Sequence, residues 1–341
     1  MQNRIWILGA SDPEMTAIES LLRQCGERVV YAESAPGVRV HSGNSYRALW
    51  PSELGGGLSD TDLYLVECAV VYDPLISPIW GGTRSTYILD HHRPGDPGYG
   101  RPPADFFKSS SIGQVVITLA RLGVCAWPLA GGADSGQAVW VDSGGVTWLP
   151  VCRQWLDKFG GKSPCSWAVV PREIVLTAAA DHCLGAAYAG QCPGVDPDEL
   201  LAFRAASRAA HQGRTIEAVL ADIESAHAAL LAAPVIELNP PAHTYDHDTA
   251  HSVCDGCNYE SETVRDMRAT HVPELPEAGT RYGIAYMARG LPLADGRNKI
   301  VVSGTPEVIR AFIAEWSPAQ GLVDLYGDPA RGFAGGYEVA T

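Results

Sequence analysis

The chain has 341 residues and a formal net charge of -14. At ~100–200 residues per domain it has room for about two domains, and 46% hydrophobic against 19% charged residues suits ordinary globular cores. An acidic surface repels nucleic-acid backbones and anionic membranes, so a long duplex is not an expected partner. The charge leaves open a small nucleotide or phosphate ester, since a few local cations or metals outweigh the global field, and equally a protein with no partner at all.

No stretch approaches the ~20 apolar residues that a bilayer span needs. The N-terminal run to Leu8 is too short for a signal-peptide core. The nine cysteines are odd in number, and Cys25, Cys68 and Cys183 sit in apolar surroundings. That pattern fits reduced, buried thiols in a cytosol better than a disulfide framework. The expectation is a cytoplasmic protein with no membrane partner, with a homodimer left open.

Residues 4–8 read as a buried strand ending at Gly9. Helical spacing follows through Ile18, Leu21 and Leu22, with Ser11 or Asp12 as the cap and Pro13 at the first position. Further strands are expected at 29–31, at 63–66 ending in Glu67, and at 87–89 ending in Asp90. A glycine-rich stretch, 131–145, has strand-like pieces at 138–141 and reads as an inserted hairpin. Helices are expected at 111–122 and 172–188, the second carrying Asp181. Strands alternating with helices predict an α/β fold with a mostly parallel sheet flanked by helices, over residues 1–195. Residues 196–240 read as a helical connector of two helices meeting near Gly213, followed by a linker from Ala233. Residues 241–341 read as a smaller C-terminal α/β domain, with strands at 282–288 and 299–302, a helix at 306–316 and a glycine-rich loop at 327–336.

In an α/β sheet, ligands bind beyond the carboxyl ends of the strands. The first strand here runs toward Asp12 and Glu14, the third ends at Glu67, and the fourth ends at Asp90-His91-His92. A helix adds Asp181-His182. Carboxylates and imidazoles converging from separate strand ends suit Mn²⁺ or Mg²⁺. Such ions polarise phosphoryl oxygens and activate water. Asp12 and Glu14 suit a metal and the positive end of a helix dipole equally.

The run Ile88-Leu89-Asp90-His91-His92-Arg93-Pro94 resembles the signature of the DHH phosphoesterase superfamily. The first motif of that family would fall on Ala10-Ser11-Asp12-Pro13-Glu14-Met15-Thr16, where Ala10 replaces a histidine, Glu14 an aspartate and Thr16 a second aspartate. The second motif matches at Glu67 and the fourth at Asp181. The resemblance spans about residues 4–190. It implies a metal-dependent phosphoesterase acting on a small nucleotide, a dinucleotide or a related phosphate ester. It also implies one reasonable metal site, at Glu67, His91 and Asp181, and one poor site, at Glu14 and Glu67, which Asp12 could assist. His92 would orient or protonate the phosphoryl group, Asp90 would fix an imidazole and Arg93 would clamp the anion. The smaller domain would close over the cleft, with Arg331, Gly335 and Gly336 near the substrate. The exchanges at Ala10 and Thr16 leave a second function open, a catalytically degenerate nucleotide-binding or sensor protein.

Two further constellations stand beside this. Ser110 and Ser111 precede a helix, where hydroxyls and backbone N–H groups hold either a phosphate or simply the helix cap. His247, His251, Cys254 and Cys257 follow the pattern His-x3-His-x2-Cys-x2-Cys, which suits either a structural tetrahedral Zn²⁺ or a His-rich connector with a reduced CxxC. The resemblance does not imply this zinc site.

Overall fold

The computed structural model describes residues 3–54, 60–70, 83–124, 129–130, 140–141, 147–151, 166–238, 262–292 and 296–338. The chain divides into two compact units, Met1–Ile216 and Glu217–Thr341. Among the described residues no helix is long and apolar enough to cross a membrane.

The first unit begins with β1 (Asn3–Leu8), α1 (Pro13–Gln24), β2 (Val29–Tyr31), a short hairpin of β3 (Glu33–Ala35) and β4 (Val38–Arg39), β5 (Thr61–Val66) and β6 (Thr83–Leu89). Four of these make a parallel sheet in the order β2-β1-β5-β6. Its two faces follow from the period of two along each strand. Trp6, Leu8, Tyr64, Val66 and Leu89 point to one core, while Ile5, Ile7, Val30, Leu63 and Leu65 point to another. The first core is shared with α1, α2 (Phe106–Ser109), α3 (Ser111–Arg121), α4 (Arg172–His182), α5 (Leu184–Tyr188) and α6 (Pro197–Gln212).

The second face departs from the expected helix-flanked sheet. Ala32, Val40, Ala48 and Leu54 cover it, from a stretch built of the β3–β4 hairpin and two 3-10 turns. This stretch has no helical period to read, so its covering role is invisible in the sequence. A second, antiparallel sheet joins β7 (Leu129–Ala130), β8 (Trp140–Val141), β9 (Thr147–Val151) and β10 (Ser166–Val169) in the order β7-β10-β9-β8. Of the hairpin expected at 131–145, only Trp140–Val141 falls among the described residues, and it is a strand.

In the second unit come α7 (Ile216–Ala232), β11 (Val235–Glu237), β12 (Thr263–Met267), α8 (Leu275–Arg281), β13 (Tyr286–Pro292), β14 (Asn298–Ser303), α9 (Pro306–Ala311), β15 (Val323–Asp328) and β16 (Phe333–Glu338). The six strands run β11-β12-β13-β14-β16-β15, antiparallel except for β12 beside β13. This is a separate mixed sheet in the C-terminal part.

Three expectations about this half change. The helices do meet at Gly213, which takes φ 64° as the left-handed cap of α6. However, α6 packs in the first unit and α7 belongs to the second, so the connector is split between them. The stretch after Ala233 is no linker through Leu238, because β11 pairs with β12 and Leu238 is buried. The glycine-rich loop at 327–336 is mostly two strands, the end of β15 and the start of β16, around a 3-10 turn at Pro329–Arg331. A Cβ on Gly335 would lie 2.3 Å from the Tyr326 hydroxyl, and one on Gly336 would lie 2.6 Å from Leu325. These glycines make room for neighbouring side chains within the sheet.

At the carboxyl edge of the parallel sheet the strand ends are forced together. Gly9 N–H donates to the Val66 carbonyl at 2.9 Å. A Cβ at Gly9 would meet the Glu67 carbonyl oxygen at 2.4 Å. Glu67 itself takes φ 51°, a left-handed conformation that costs a non-glycine residue about 1 kcal/mol or more. Gly9→Ala should therefore push the β1 and β5 ends apart and destabilise the first unit by about 1–3 kcal/mol, read as a lowered urea midpoint. An unchanged midpoint would show that this approach is not constrained.

Candidate metal centre

The centre is assembled at that edge. Asp12 caps α1, its Oδ1 accepting from Met15 N at 2.7 Å. The acid of the next turn, Glu14, is therefore turned inward and buried. Its Oε1 accepts from Ile112 N at 2.8 Å, at the start of α3. The helix-start amide proposed from sequence to hold a phosphate is thus occupied by Glu14. Ser110 and Ser111 are likewise engaged inside the protein. Ser110 Oγ accepts from Gly113 N and donates to the Phe107 carbonyl. Ser111 Oγ lies 3.2 Å from His91 Nδ1. Thr16 is exposed, with its hydroxyl on the Asp12 carbonyl at 2.8 Å, so the position where the resemblance loses a ligand points away from the cluster.

The Asp90-His91-His92 turn leaves the end of β6. Asp90 is fully buried and accepts from four donors. Tyr46 hydroxyl donates to its Oδ2 at 2.7 Å, and His91 N, His92 N and His92 Nδ1 reach its Oδ1 at 2.7, 3.1 and 2.8 Å. Burial alone would raise the pKa of Asp90, but the His92 and Tyr46 hydrogen bonds and the nearby His91 override it and hold it at about 2. Asp90 is thus anionic throughout the ordinary pH range and places the His92 Nδ1 proton, leaving Nε2 as the donor atom of that ring. Gln114 Nε2 ties the same turn to the start of α3, donating to the Asp90 and Ser109 carbonyls at 3.0 and 2.8 Å.

His91 is fully buried, stacked on His92 at 4.3 Å and met edge-on by His182 at 5.0 Å. With Nδ1 beside Ser111, its Nε2 stands 3.0 Å from Asp181 Oδ2. Two neighbouring ligands of one octahedral ion, each ~2.1 Å from it, lie about 3 Å apart. Two donor sets then share Glu67: Glu67 with His91 and His92, and Glu67 with Glu14 and Asp181. Within each set the ligand atoms lie within 4.8 Å of one another.

The electrostatics of these carboxyls point the same way. Burial, then the neighbouring Asp181 and Glu67, push Glu14 well above the ordinary carboxylate range. Burial raises Glu67 to about 8, with Asp181, Asp12 and Asp90 adding to it and His92 opposing. Asp12 is raised to about 6 by burial and by Asp181. Glu67 Oε1 is buried and has no hydrogen-bond partner among the described residues. The cluster therefore holds protons where it lacks positive charge. The carboxylate oxygens and imidazole nitrogens of these two sets could hold a metal ion. The donors alone do not select the metal.

Relative to the sequence reading, the grouping differs. Asp181 stands with Glu14 as well as His91, which strengthens the donor set read as poor. His92, expected to act on the phosphoryl group, joins His91 and Glu67 as a potential ligand. Arg93 lies with its guanidinium 3.6 Å above the Tyr46 ring, at the mouth of the turn. Arg39 donates to the Gly9 carbonyl at 3.2 Å, beside the same edge. Tyr46, Gln114 and Arg39 had no assigned role in the sequence reading. Arg331, Gly335 and Gly336 lie in the second unit, Arg331 closing the 3-10 turn before β16. His247, His251, Cys254 and Cys257 lie outside the described residues.

The raised carboxyls carry a sign for stability. Each binds its proton more tightly folded than unfolded, so it favours the folded state below its unfolded pKa and loses that contribution as pH rises through the folded value. For Glu67 and Asp12 the window runs from about pH 4 to about pH 8. Asp90 has the opposite sign but acts only below about pH 4. With divalent cations chelated, Tm should fall by roughly 5 °C or more between pH 5 and pH 8, at ~2–4 °C per kcal/mol. Glu67→Gln should flatten that slope. A wild-type Tm that is constant or rises over this range would contradict the crowding. No family model, curated protein or solved structure matches this chain.

Proposed function

We propose that the protein is a metal-dependent phosphoesterase of DHH type, hydrolysing a small nucleotide, a dinucleotide or a related phosphate ester. The observation that carries this reading is the pair of donor sets sharing Glu67 at the carboxyl edge of a parallel sheet, built around Asp90-His91-His92. Mn²⁺ or Mg²⁺ held there would supply Lewis acidity toward a phosphoryl oxygen.

The chain's own residues then have distinct tasks. Glu67, Glu14, Asp181, His91 and His92 hold charge and position at the sheet edge. Asp90 fixes the His92 tautomer, and Tyr46 and Gln114 fix Asp90 and its turn. Arg93, stacked on Tyr46, and Arg39, beside Gly9, supply positive charge for a phosphate oxygen near an otherwise acidic cluster. His91 and Asp90 are fully buried, whereas the side chains of Asp181 and His92 are 25% and 23% exposed.

A degenerate nucleotide-binding protein is favoured by one observation: Glu14 spends one carboxyl oxygen on Ile112 N, which leaves it a single oxygen for a cation. The two readings separate on turnover. On the catalytic reading, hydrolysis of a panel of mononucleotides, linear and cyclic dinucleotides and a chromogenic phosphodiester requires Mn²⁺ or Mg²⁺. His91→Ala, Glu67→Gln and Asp181→Asn should each lower kcat by a factor of about 100 or more, the scale of losing a main electrostatic contribution. Metal and nucleotide binding without hydrolysis of any panel member would establish the binding role. Absence of both metal and nucleotide binding would sink both readings.

A further inference from the structure

The helix that carries Asp181 and His182 ends at Cys183, whose backbone leaves the helical region at φ -151°, ψ 49° before α5 begins. Nine positions later the chain returns, and Cys192 Sγ lies 2.9 Å from Cys183 Sγ. Both residues are buried, at 1% and 2% exposure. A disulfide has its sulfurs about 2.05 Å apart, so bonding requires each to move only a fraction of an ångström. Backbone hydrogen bonds hold the two positions. Cys183 N donates to the Ala179 carbonyl at 3.2 Å, Ala187 N to the Cys183 carbonyl at 2.9 Å and Val195 N to the Cys192 carbonyl at 3.1 Å.

The other described cysteines are placed differently. Cys68 lies in the core on the opposite face of the sheet, its thiol toward the Ile7 carbonyl, and Cys25 packs at the edge of the helix-side core. The cover over Cys192 is thin, because Gly190, Gln191, Pro193 and Gly194 on either side are all exposed.

We propose that Cys183 and Cys192 form a reversible cross-link that staples the end of α4, and with it Asp181 and His182, to the turn at 190–194. The oxidant is a small disulfide, as in oxidised glutathione. The Cys192 thiolate attacks one of its sulfurs and expels one small thiolate, leaving a mixed disulfide on Cys192. Cys183, as thiolate, then attacks the Cys192 sulfur and expels the second small thiolate. Two protein thiols are oxidised, one small disulfide is reduced to two thiols, and the protons pass to the departing thiolates. The cross-link closes a loop of about ten residues, which restricts the unfolded chain. The inference rests on the two thiols and does not depend on the proposed reaction.

The test uses the full chain, treated with oxidised glutathione, digested without reduction and analysed by peptide mass spectrometry. The expected result is one dominant cross-link, Cys183 to Cys192. Tm should rise by roughly 5 °C or more and should return to its starting value with dithiothreitol. Cys192→Ser and Cys192→Ala should each keep the Tm of the reduced protein within about 2 °C and show no rise on oxidation. A glutathione adduct left on Cys192 without the internal bond, a dominant cross-link to another cysteine, or no thermal shift would each overturn the proposal. So would a rise retained in both Cys192 variants.

Discussion

Everything at the sheet edge depends on the crowding of carboxyl groups. Asp12, Glu14, Glu67 and Asp181 come from the start of one helix, one strand end and the last turn of another helix. Burial and mutual repulsion raise three of them above the ordinary carboxylate range. A buried carboxylate without compensation is costly, so this cluster is stable only with protons or with a cation in its midst. Asp90 shows the contrast, since it is just as buried but has four donors and stays ionised. The fold gives Asp90 four donors, whereas Asp12 and Glu14 each take one backbone N–H and still face the neighbouring carboxyls.

The scaffold accounts for why these groups cannot relax apart. Gly9 lets the ends of β1 and β5 touch, and Glu67 accepts a left-handed backbone at that contact. Strain of this kind persists when the surroundings over-determine it. Here the surroundings are the inner strands β1 and β5, buried on both faces, so Glu67 is delivered between the two donor sets by packing rather than by its own preference. The raised donor pKa values and the shared Glu67 are thus two consequences of one backbone arrangement.

Much of this edge was legible in the sequence. Runs such as Ile5–Leu8 and Leu63–Val66 read as buried strands, and each terminates in a residue that matters, Gly9 or Glu67. Asp90-His91-His92 and Asp181 were readable because ionisable residues that end apolar runs are conspicuous. Tyr46 and Arg39 were not, since they come from segments with no period, and Gln114, although on an expected helix, reaches the Asp90 turn only through tertiary packing. Glu14 was read as a possible ligand, but its bond to Ile112 N joins residues 98 positions apart, which no local pattern encodes. The same limit applied to Ser110 and Ser111, where a helix start that could take a phosphate is filled by a side chain of the chain itself. In the second unit, glycines at 335 and 336 resembled a loop, whereas they serve close packing within a strand.

The central claim is that the sheet edge holds protons in place of a divalent cation. It is tested most directly by counting the protons released when Mn²⁺ binds at pH 7, using titration calorimetry in two buffers of different ionisation enthalpy. The account predicts release of about one proton per chain, chiefly from Glu67, and a smaller release in Glu67→Gln. Mn²⁺ binding with no proton release, or no binding at all, would contradict it.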